Sequence, residues 1–82
     1  MAKQSKEIPV HIAKQLKLIG ERVGELRRDS DKVVTLEDIN ATRMTLWRIE
    51  NGKDAQLSTL LQILDAYDIS PKEFFKDIPN GH

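Results

Sequence analysis

Residues 40–53 read N-A-T-R-M-T-L-W-R-I-E-N-G-K, and this stretch decides how the rest of the chain is interpreted. Asn40 tolerates the left-handed backbone conformation of a tight turn, and Thr42 is a residue type that caps helices. About two amphipathic helical turns follow, and Asn51-Gly52 is a pair suited to the positive φ of a helix end. The sequence therefore predicts a short helix over residues 42–51 with a tight turn on each side.

This short helix is predicted to have two different faces. Leu46 and Ile49 lie three residues apart and are expected to pack inward. The opposite face carries four larger side chains, Arg43, Met44, Trp47 and Arg48. A short helix that exposes such a face after a fixed turn has the shape required to enter a DNA major groove.

The residues before this stretch predict a long helix and then a short one. Apolar residues separated by four, three, four and three positions indicate an amphipathic helix over residues 9–28: Ile12, Leu16, Ile19, Val23 and Leu26. Gly20 and Gly24 lie four apart within it and are expected to permit close helix packing. Residues 1–8 are expected to be a flexible arm. A second helix is placed at about residues 31–39, although the β-branched run Val33-Val34-Thr35 has poor helix propensity.

The residues after the stretch predict two more helices. Ser58 is expected to cap a fourth helix, which is apolar over a wide face. The sequence Ser70-Pro71-Lys72-Glu73 has the pattern of a capping box, and it predicts a short fifth helix containing Phe74 and Phe75. Residues 79–82 are expected to fray. The predicted fold is all-α, with five helices, no strand and one domain over residues 9–78.

Composition limits the possible functions without selecting one. The chain has 82 residues, no cysteine, and thirteen basic against thirteen acidic residues. Residues 1–53 hold eleven Lys/Arg against eight Asp/Glu, and residues 54–82 hold two against five. The basic half contains the short helix, which points mildly to an anionic partner, with ordinary charge scatter as an equally weighted alternative. No apolar run has the length of a membrane span and no signal peptide is evident, so a cytoplasmic protein is expected.

No arrangement of residues suggests an enzyme. His11 and His82 lie near opposite ends of the chain, and no serine has a plausible base beside it. A metal site would need three or four clustered ligands, and the sequence shows no such cluster. We therefore expect neither catalysis nor a metal or other cofactor.

In this order, the segments resemble the Cro/repressor-type (xenobiotic-response-element) family of helix-turn-helix proteins. Four fragments carry the resemblance: residues 19–27, 42–53, 57–61 and 69–75. The resemblance implies a compact five-helix, lambda-repressor-like domain. It also implies a small homodimeric transcriptional regulator, a repressor, that binds double-stranded DNA sequence-specifically through residues 42–51. One departure is that Thr35 and Leu36 stand where the family usually has a Leu-Ala pair.

The resemblance also implies roles for individual residues. Arg43 and Met44 are expected to contact bases, and Arg48 is expected to contact either a base or a phosphate. Contacts to the DNA backbone are expected from six residues: Lys32, Thr42, Thr45, Trp47, Asn51 and Lys53. Trp47 has an equally weighted alternative, which is structural packing. Glu50 is expected to pair with Arg22 or Arg27 of the first helix.

Apolar residues of the third and last helices suggest partners other than DNA. Phe74, Phe75 and Ile78 are expected to be core residues by default. The family often dimerises through its last helix, and any apolar surface left over there would serve that purpose. The alternative function is a protein-interaction module such as an antitoxin. Such a module would bind a toxin or another protein through the outer face of the third helix, which includes Met44 and Trp47, or through the C-terminal helix. No membrane or small-molecule partner is expected.

Overall fold

The computed structural model describes residues 8–76 and residue 78. Within them the chain forms four α-helices and no strand: α1 (Val10–Asp29), α2 (Arg43–Glu50), α3 (Leu57–Ala66) and α4 (Pro71–Phe75). None of these helices combines the length and the hydropathy needed to cross a bilayer. Residues 1–7 of the predicted arm and the predicted frayed end at residues 79–82 lie outside the described residues.

The four helices and the segment between α1 and α2 share one apolar core. Its most deeply buried side chains are Phe74 and Ile63, both 0% exposed, and Leu64 and Val23, both 1% exposed. Ile39, Ile49 and Leu60 complete it. Burying side chains of this size provides the main driving force for folding a short chain.

α1 packs closely against α2. Close helix packing was predicted at both Gly20 and Gly24. A Cβ atom added at Gly20 would overlap the carbonyl oxygen of Ile49, so only glycine allows this approach. Gly24 differs, because an added Cβ there would meet the guanidinium Nη1 of Arg28 at 3.2 Å rather than the backbone of α2. The predicted close packing is therefore present at Gly20 and not at Gly24.

The two C-terminal helices begin differently from each other. α3 begins two residues early, at Leu57, with Gln56 at the N-cap and no side-chain cap, so the prediction that Ser58 caps this helix was wrong. The cap of α4 is confirmed, because the backbone N–H of Glu73 donates to Oγ of Ser70 at 3.1 Å. Pro71 follows at the first helical position, where its missing N–H leaves no hydrogen bond unmade.

The second of the five predicted helices, at residues 31–39, is not a helix in the structure. Residues 33–35 have no regular structure, and residues 36–40 form turns. Thr35 and Asp38 bond each other's backbone: the N–H of Thr35 donates to Oδ2 of Asp38 at 2.9 Å, and the N–H of Asp38 donates to Oγ1 of Thr35 at 3.1 Å. These local bonds cap a single turn and compete with a continuous helix. The five-helix count is therefore corrected to four for the described residues.

Candidate nucleic-acid interface

The N-terminus of α2 is fixed by a turn and a cap. Asn40 has a φ of 51°, the left-handed conformation predicted for it, and the N–H of Ala41 donates to the Leu36 carbonyl at 3.1 Å. Oγ1 of Thr42 accepts from the N–H of Thr45 at 3.1 Å, which confirms Thr42 as the cap. The hydroxyl groups of Thr42 and Thr45 are also 2.9 Å apart. The start and the direction of α2 are thus set by hydrogen bonds within residues 36–45.

The inner face of α2 is held by one buried side chain and one ion pair. Ile49 is 4% exposed, and Leu46 packs against the core beside it. Glu50 pairs with Arg27 of α1 through two hydrogen bonds, Nε to Oε2 at 2.6 Å and Nη2 to Oε1 at 2.8 Å. Arg22, the other arginine considered, pairs instead with Glu25 at 3.4 Å.

The ion pair raises the pKa of Arg27 and joins two helices that are distant in sequence. The hydrogen bond and the charge of Glu50 raise the pKa of Arg27 above its usual value. The guanidinium therefore stays charged, and its two parallel bonds restrict rotation of α2 against α1. Near it, burial raises the pKa of Tyr67, which keeps the phenol neutral.

The C-terminus of α2 ends abruptly. Nδ2 of Asn51 donates to the carbonyl oxygen of Trp47 at 2.8 Å, and the N–H of Lys53 donates to the carbonyl oxygen of Arg48 at 2.8 Å. Gly52 has a φ of 77°, a conformation that suits glycine. The side-chain amide of Asn51, predicted to contact a phosphate, is thus already used within α2.

The outer face of α2 presents large side chains to solvent. Met44 is 66% exposed and Trp47 is 53% exposed, and Arg43 and Arg48 are exposed on the two flanks of this pair. Half-exposed Trp47 is not part of the core. The alternative, in which Trp47 packs against the N-terminal arm, involves residues 1–7, which lie outside the described residues. An exposed tryptophan and methionine in the middle of one surface are typical of a binding face.

Arg48 differs from Arg43 in having a fixed partner. Its Nη2 donates to the carbonyl oxygen of Asp54 at 3.1 Å, so the guanidinium fastens the loop after α2. The bond uses one of the five N–H groups of the guanidinium, and the others stay available to a base or a phosphate.

A shallow polar recess of about 440 Å³ lies beside the N-terminal half of α2. Its walls include residues from three parts of the chain: Asn40, Thr42, Thr45, Arg48, Gln56 and Thr59. Three of these were predicted to contact DNA, and the structure brings them together. Gln56 was not predicted, because the early start of α3 that places it here has no signal in the sequence. The recess offers hydroxyl, amide and guanidinium groups to an anion such as a phosphate.

The two predicted lysine contacts lie outside α2. Lys53 is exposed in the loop that follows α2. Lys32 is exposed in the bend before residues 33–35, where its backbone N–H donates to Oγ of Ser30 at 3.1 Å. Because the second helix is absent, Lys32 does not stand at a helix start as predicted. Among the described residues, no group of three or more His, Asp or Glu side chains could hold a metal ion.

Comparison with known proteins gives one informative match. No family model and no curated protein matches the chain. A solved structure that is similar to it is the high-resolution crystal structure of the restriction-modification controller protein C.AhdI from Aeromonas hydrophila. The sequences are 28% identical, the TM-score is 0.60, and the match covers 76% of this chain and 98% of that one. Together with the capped α2 and its Glu50–Arg27 pair, this match shows that the chain has a helix-turn-helix fold of the Cro/repressor type.

Proposed function

We propose that this protein binds double-stranded DNA sequence-specifically as a homodimer and acts as a transcriptional repressor. The observation that supports it is the outer face of α2, where Arg43, Met44 and Trp47 are exposed on a helix fixed at both ends. Similarity to a protein whose name describes a controller supports a regulatory role. We propose no enzymatic activity, and a cytoplasmic location follows from the proposed role.

The proposed base contacts come from the N-terminal half of α2. Arg43 can donate two hydrogen bonds to O6 and N7 of a guanine, and Met44 can contact the methyl group of a thymine. Neither side chain has a hydrogen-bond partner that must be displaced among the contacts of the described residues. These two residues are therefore the proposed source of sequence specificity.

The proposed backbone contacts surround this pair. Thr42, Thr45 and Arg48 line the polar recess, where a phosphate would accept hydrogen bonds from their side chains. Trp47 would lie along the sugar-phosphate wall of the groove, and Lys53 would approach the backbone from the loop. Lys32 and Asn51 remain proposed contacts. Asn51 would use the second hydrogen of its side-chain amide, because the first is donated to the carbonyl oxygen of Trp47.

Selection of bound sequences from a random double-stranded DNA library tests this proposal. The expected result is an inverted repeat whose half-sites are centred roughly 34 Å apart, the spacing of one helical turn. Placing the selected site over a promoter should then lower transcription of a reporter when the protein is present. Recovery of unrelated sequences with no shared motif would contradict the proposal.

A second candidate function uses the same exposed side chains. Met44 and Trp47 form an apolar pair, and such a pair also suits binding of a partner protein, as in an antitoxin. The salt dependence of binding to mixed DNA separates the two functions. DNA binding that weakens steeply with salt supports the repressor, because phosphate contacts release counterions. The absence of DNA binding at low salt would favour the protein-binding module.

A further inference from the structure

A cavity of about 250 Å³ lies between residues 34–39 and the three longer helices. We call it the Tyr67 cavity, and its walls come from α1, residues 34–39, α2 and the C-terminal end of α3. Most of its lining is apolar and consists of six side chains: Val23, Val34, Leu36, Ile39, Leu46 and Ile63. None of the described residues around the polar recess also lines the Tyr67 cavity, so the two are distinct.

The apolar lining includes one of two neighbouring valines. Val34 lines the cavity, whereas Val33 is 90% exposed and does not help to fill it. An apolar cavity holds a small apolar molecule more readily than water, because water finds too few hydrogen-bond partners there. The lining therefore suits the hydrocarbon part of a small ligand.

Three residues of the lining carry N–H or O–H donors. Arg27 uses two of its five guanidinium N–H groups on Glu50 and keeps three. The side chains of Arg43 and Tyr67 form no hydrogen bond with any residue of 8–76 or 78. A few donors that converge on a mostly apolar cavity are the usual composition of a small-ligand site.

The charge of the lining is positive. Arg27 and Arg43 are its charged members among the described residues, and no carboxylate of those residues lines it. Two carboxylates adjoin it and are already bonded: Glu50 to Arg27, and Asp38 to the backbone N–H of Thr35 at 2.9 Å. Glu50 neutralises Arg27, so Arg43 is the cation of the cavity that lacks a counter-ion. An anionic group on the ligand would supply one.

Within the described part of the chain, the two residues with a displaced pKa both line this cavity. Burial raises the pKa of Tyr67, and the hydrogen bond with Glu50 raises the pKa of Arg27. Groups with displaced pKa values are found at functional sites more often than elsewhere. This observation adds to the lining and the charge, which carry the argument.

We propose that the Tyr67 cavity binds a small apolar monocarboxylate. Its hydrocarbon part lies against the six apolar side chains, and its carboxylate accepts hydrogen bonds from the planar guanidinium of Arg43. The volume of about 250 Å³ is below the roughly 300–1,000 Å³ of typical drug-sized sites. At about 30 Å³ for each water-sized group, the cavity holds roughly eight non-hydrogen atoms, which is the size of hexanoate.

The ligand acts on DNA binding through Arg43, and this part rests on the proposed function. The same guanidinium is proposed to contact a guanine, and it cannot hold the carboxylate and the base together. The carboxylate therefore lowers the affinity for the selected DNA site, and that DNA lowers the affinity for the carboxylate by the same factor. A small carboxylate would thus release this regulator from DNA.

A nuclear magnetic resonance titration of the ¹⁵N-labelled full chain without DNA tests the site, with hexanoate as the probe and sodium chloride as the control. Saturable shifts are expected for the amides of residues 34–39 and 43–46. The expected dissociation constant is below about 1 mM, a modest affinity for a ligand of this size. Hexylamine has the same chain and the opposite charge, so it should bind at least about tenfold more weakly.

Two matched pairs of substitutions localise the site. Val34→Phe fills the cavity and should abolish saturable binding of hexanoate, whereas Val33→Phe places the same ring in solvent and should not change the dissociation constant. Arg43→Met removes the cation and should raise the dissociation constant at least about tenfold. Arg48→Met, on the other flank of α2, should leave it unchanged. Circular dichroism confirms that each variant is folded, and Arg43→Met gives the answer if Val34→Phe is not.

The outcomes of the titrations decide whether the cavity is a site. Shifts that do not saturate below about 10 mM would overturn it, as would Val34→Phe and Arg43→Met variants that bind hexanoate like the wild type. Equal binding of hexanoate and hexylamine would overturn the carboxylate as the ligand class.

Fluorescence anisotropy of the labelled selected DNA tests the effect on DNA binding. Saturating hexanoate should weaken binding by the wild type at least about fivefold and should not affect Val34→Phe. A wild-type affinity that hexanoate leaves unchanged would overturn the regulation. A protein that binds hexanoate and no selected DNA would overturn the proposed function and leave the cavity intact.

Discussion

Two neighbouring segments of this chain were both predicted to be helices, and only one of them is. Residues 42–51 contain α2, whereas residues 31–39 form a bend, an irregular stretch and turns. Both segments begin near a capping residue, and both contribute one isoleucine to the core, Ile49 and Ile39. The presence of a cap and of a buried residue therefore does not explain the difference.

The difference lies in how many independent contacts fix each segment. α2 has the cap of Thr42, the tight approach of Gly20, the buried Ile49 and the Arg27–Glu50 pair. Residues 33–35 are β-branched, and the side chains of Thr35 and Asp38 accept hydrogen bonds from each other's backbone amides within one turn. A helix of two turns has little stability of its own, so tertiary contacts decide whether it forms. Four predictions test this comparison.

The largest expected effect is at Gly20. Gly20→Ala should lower the free energy of unfolding by about 3 kcal/mol, because the new Cβ cannot avoid the backbone of Ile49 and Glu50. Gly24→Ala is the matched control. The atom it would meet belongs to the flexible side chain of Arg28, so a helical alanine there should be neutral or stabilise slightly. Urea denaturation of both variants measures the difference, and equal losses would refute the role given to Gly20.

The next effect is at the ion pair between α1 and α2. Glu50→Gln should cost roughly 1 to 2 kcal/mol of unfolding free energy, since the carboxylate accepts two charged hydrogen bonds. A double-mutant cycle with Arg27→Met measures the coupling energy between the two side chains, separately from the effect of each substitution alone. A coupling energy indistinguishable from zero would mean that the pair does not hold α2.

A smaller effect is expected at the cap. Thr42→Ala should lower the unfolding free energy by about 1 kcal/mol, because the N–H of Thr45 loses its acceptor. Thr42→Ser keeps the hydroxyl group and should retain most of the stability. Were serine to cost as much as alanine, packing of the threonine methyl group and not the cap would account for the loss.

The smallest effect is expected in the segment that is not helical. Val33→Ala should change the unfolding free energy by no more than about 0.5 kcal/mol, because Val33 is 90% exposed. Amide hydrogen exchange gives a second measure: amides of residues 33–36 should exchange much faster than those of residues 46–49. Slow exchange across residues 33–39 would indicate the helix that the sequence predicted.

The sequence was sufficient for the elements with strong local signals. Asn40, Thr42, Gly52 and Ser70 all have the roles predicted for them, because turn and cap chemistry depends on a few adjacent residues. The apolar spacing of α1 likewise predicted the helix to within one residue at each end.

The sequence was insufficient where two local signals compete or where the answer depends on distant residues. Residues 31–39 have apolar residues at helical spacing but poor helix propensity. The spacing alone did not show whether a helix would form there. The bond from Arg48 to the Asp54 carbonyl and the placement of Gln56 in the recess depend on the path of a loop.

Arg43, on the outer face of α2, is proposed to contact a base and so to provide sequence specificity. Binding of wild type, Arg43→Ala and Lys53→Ala to the selected site and to random DNA tests it most directly, with salt held constant. Arg43→Ala is expected to lose about 1–3 kcal/mol of binding free energy on the selected site and to relax the preference at one base pair, with little change on random DNA. Lys53→Ala should weaken both by the same factor and reduce the salt dependence. Unchanged discrimination by Arg43→Ala would contradict the claim.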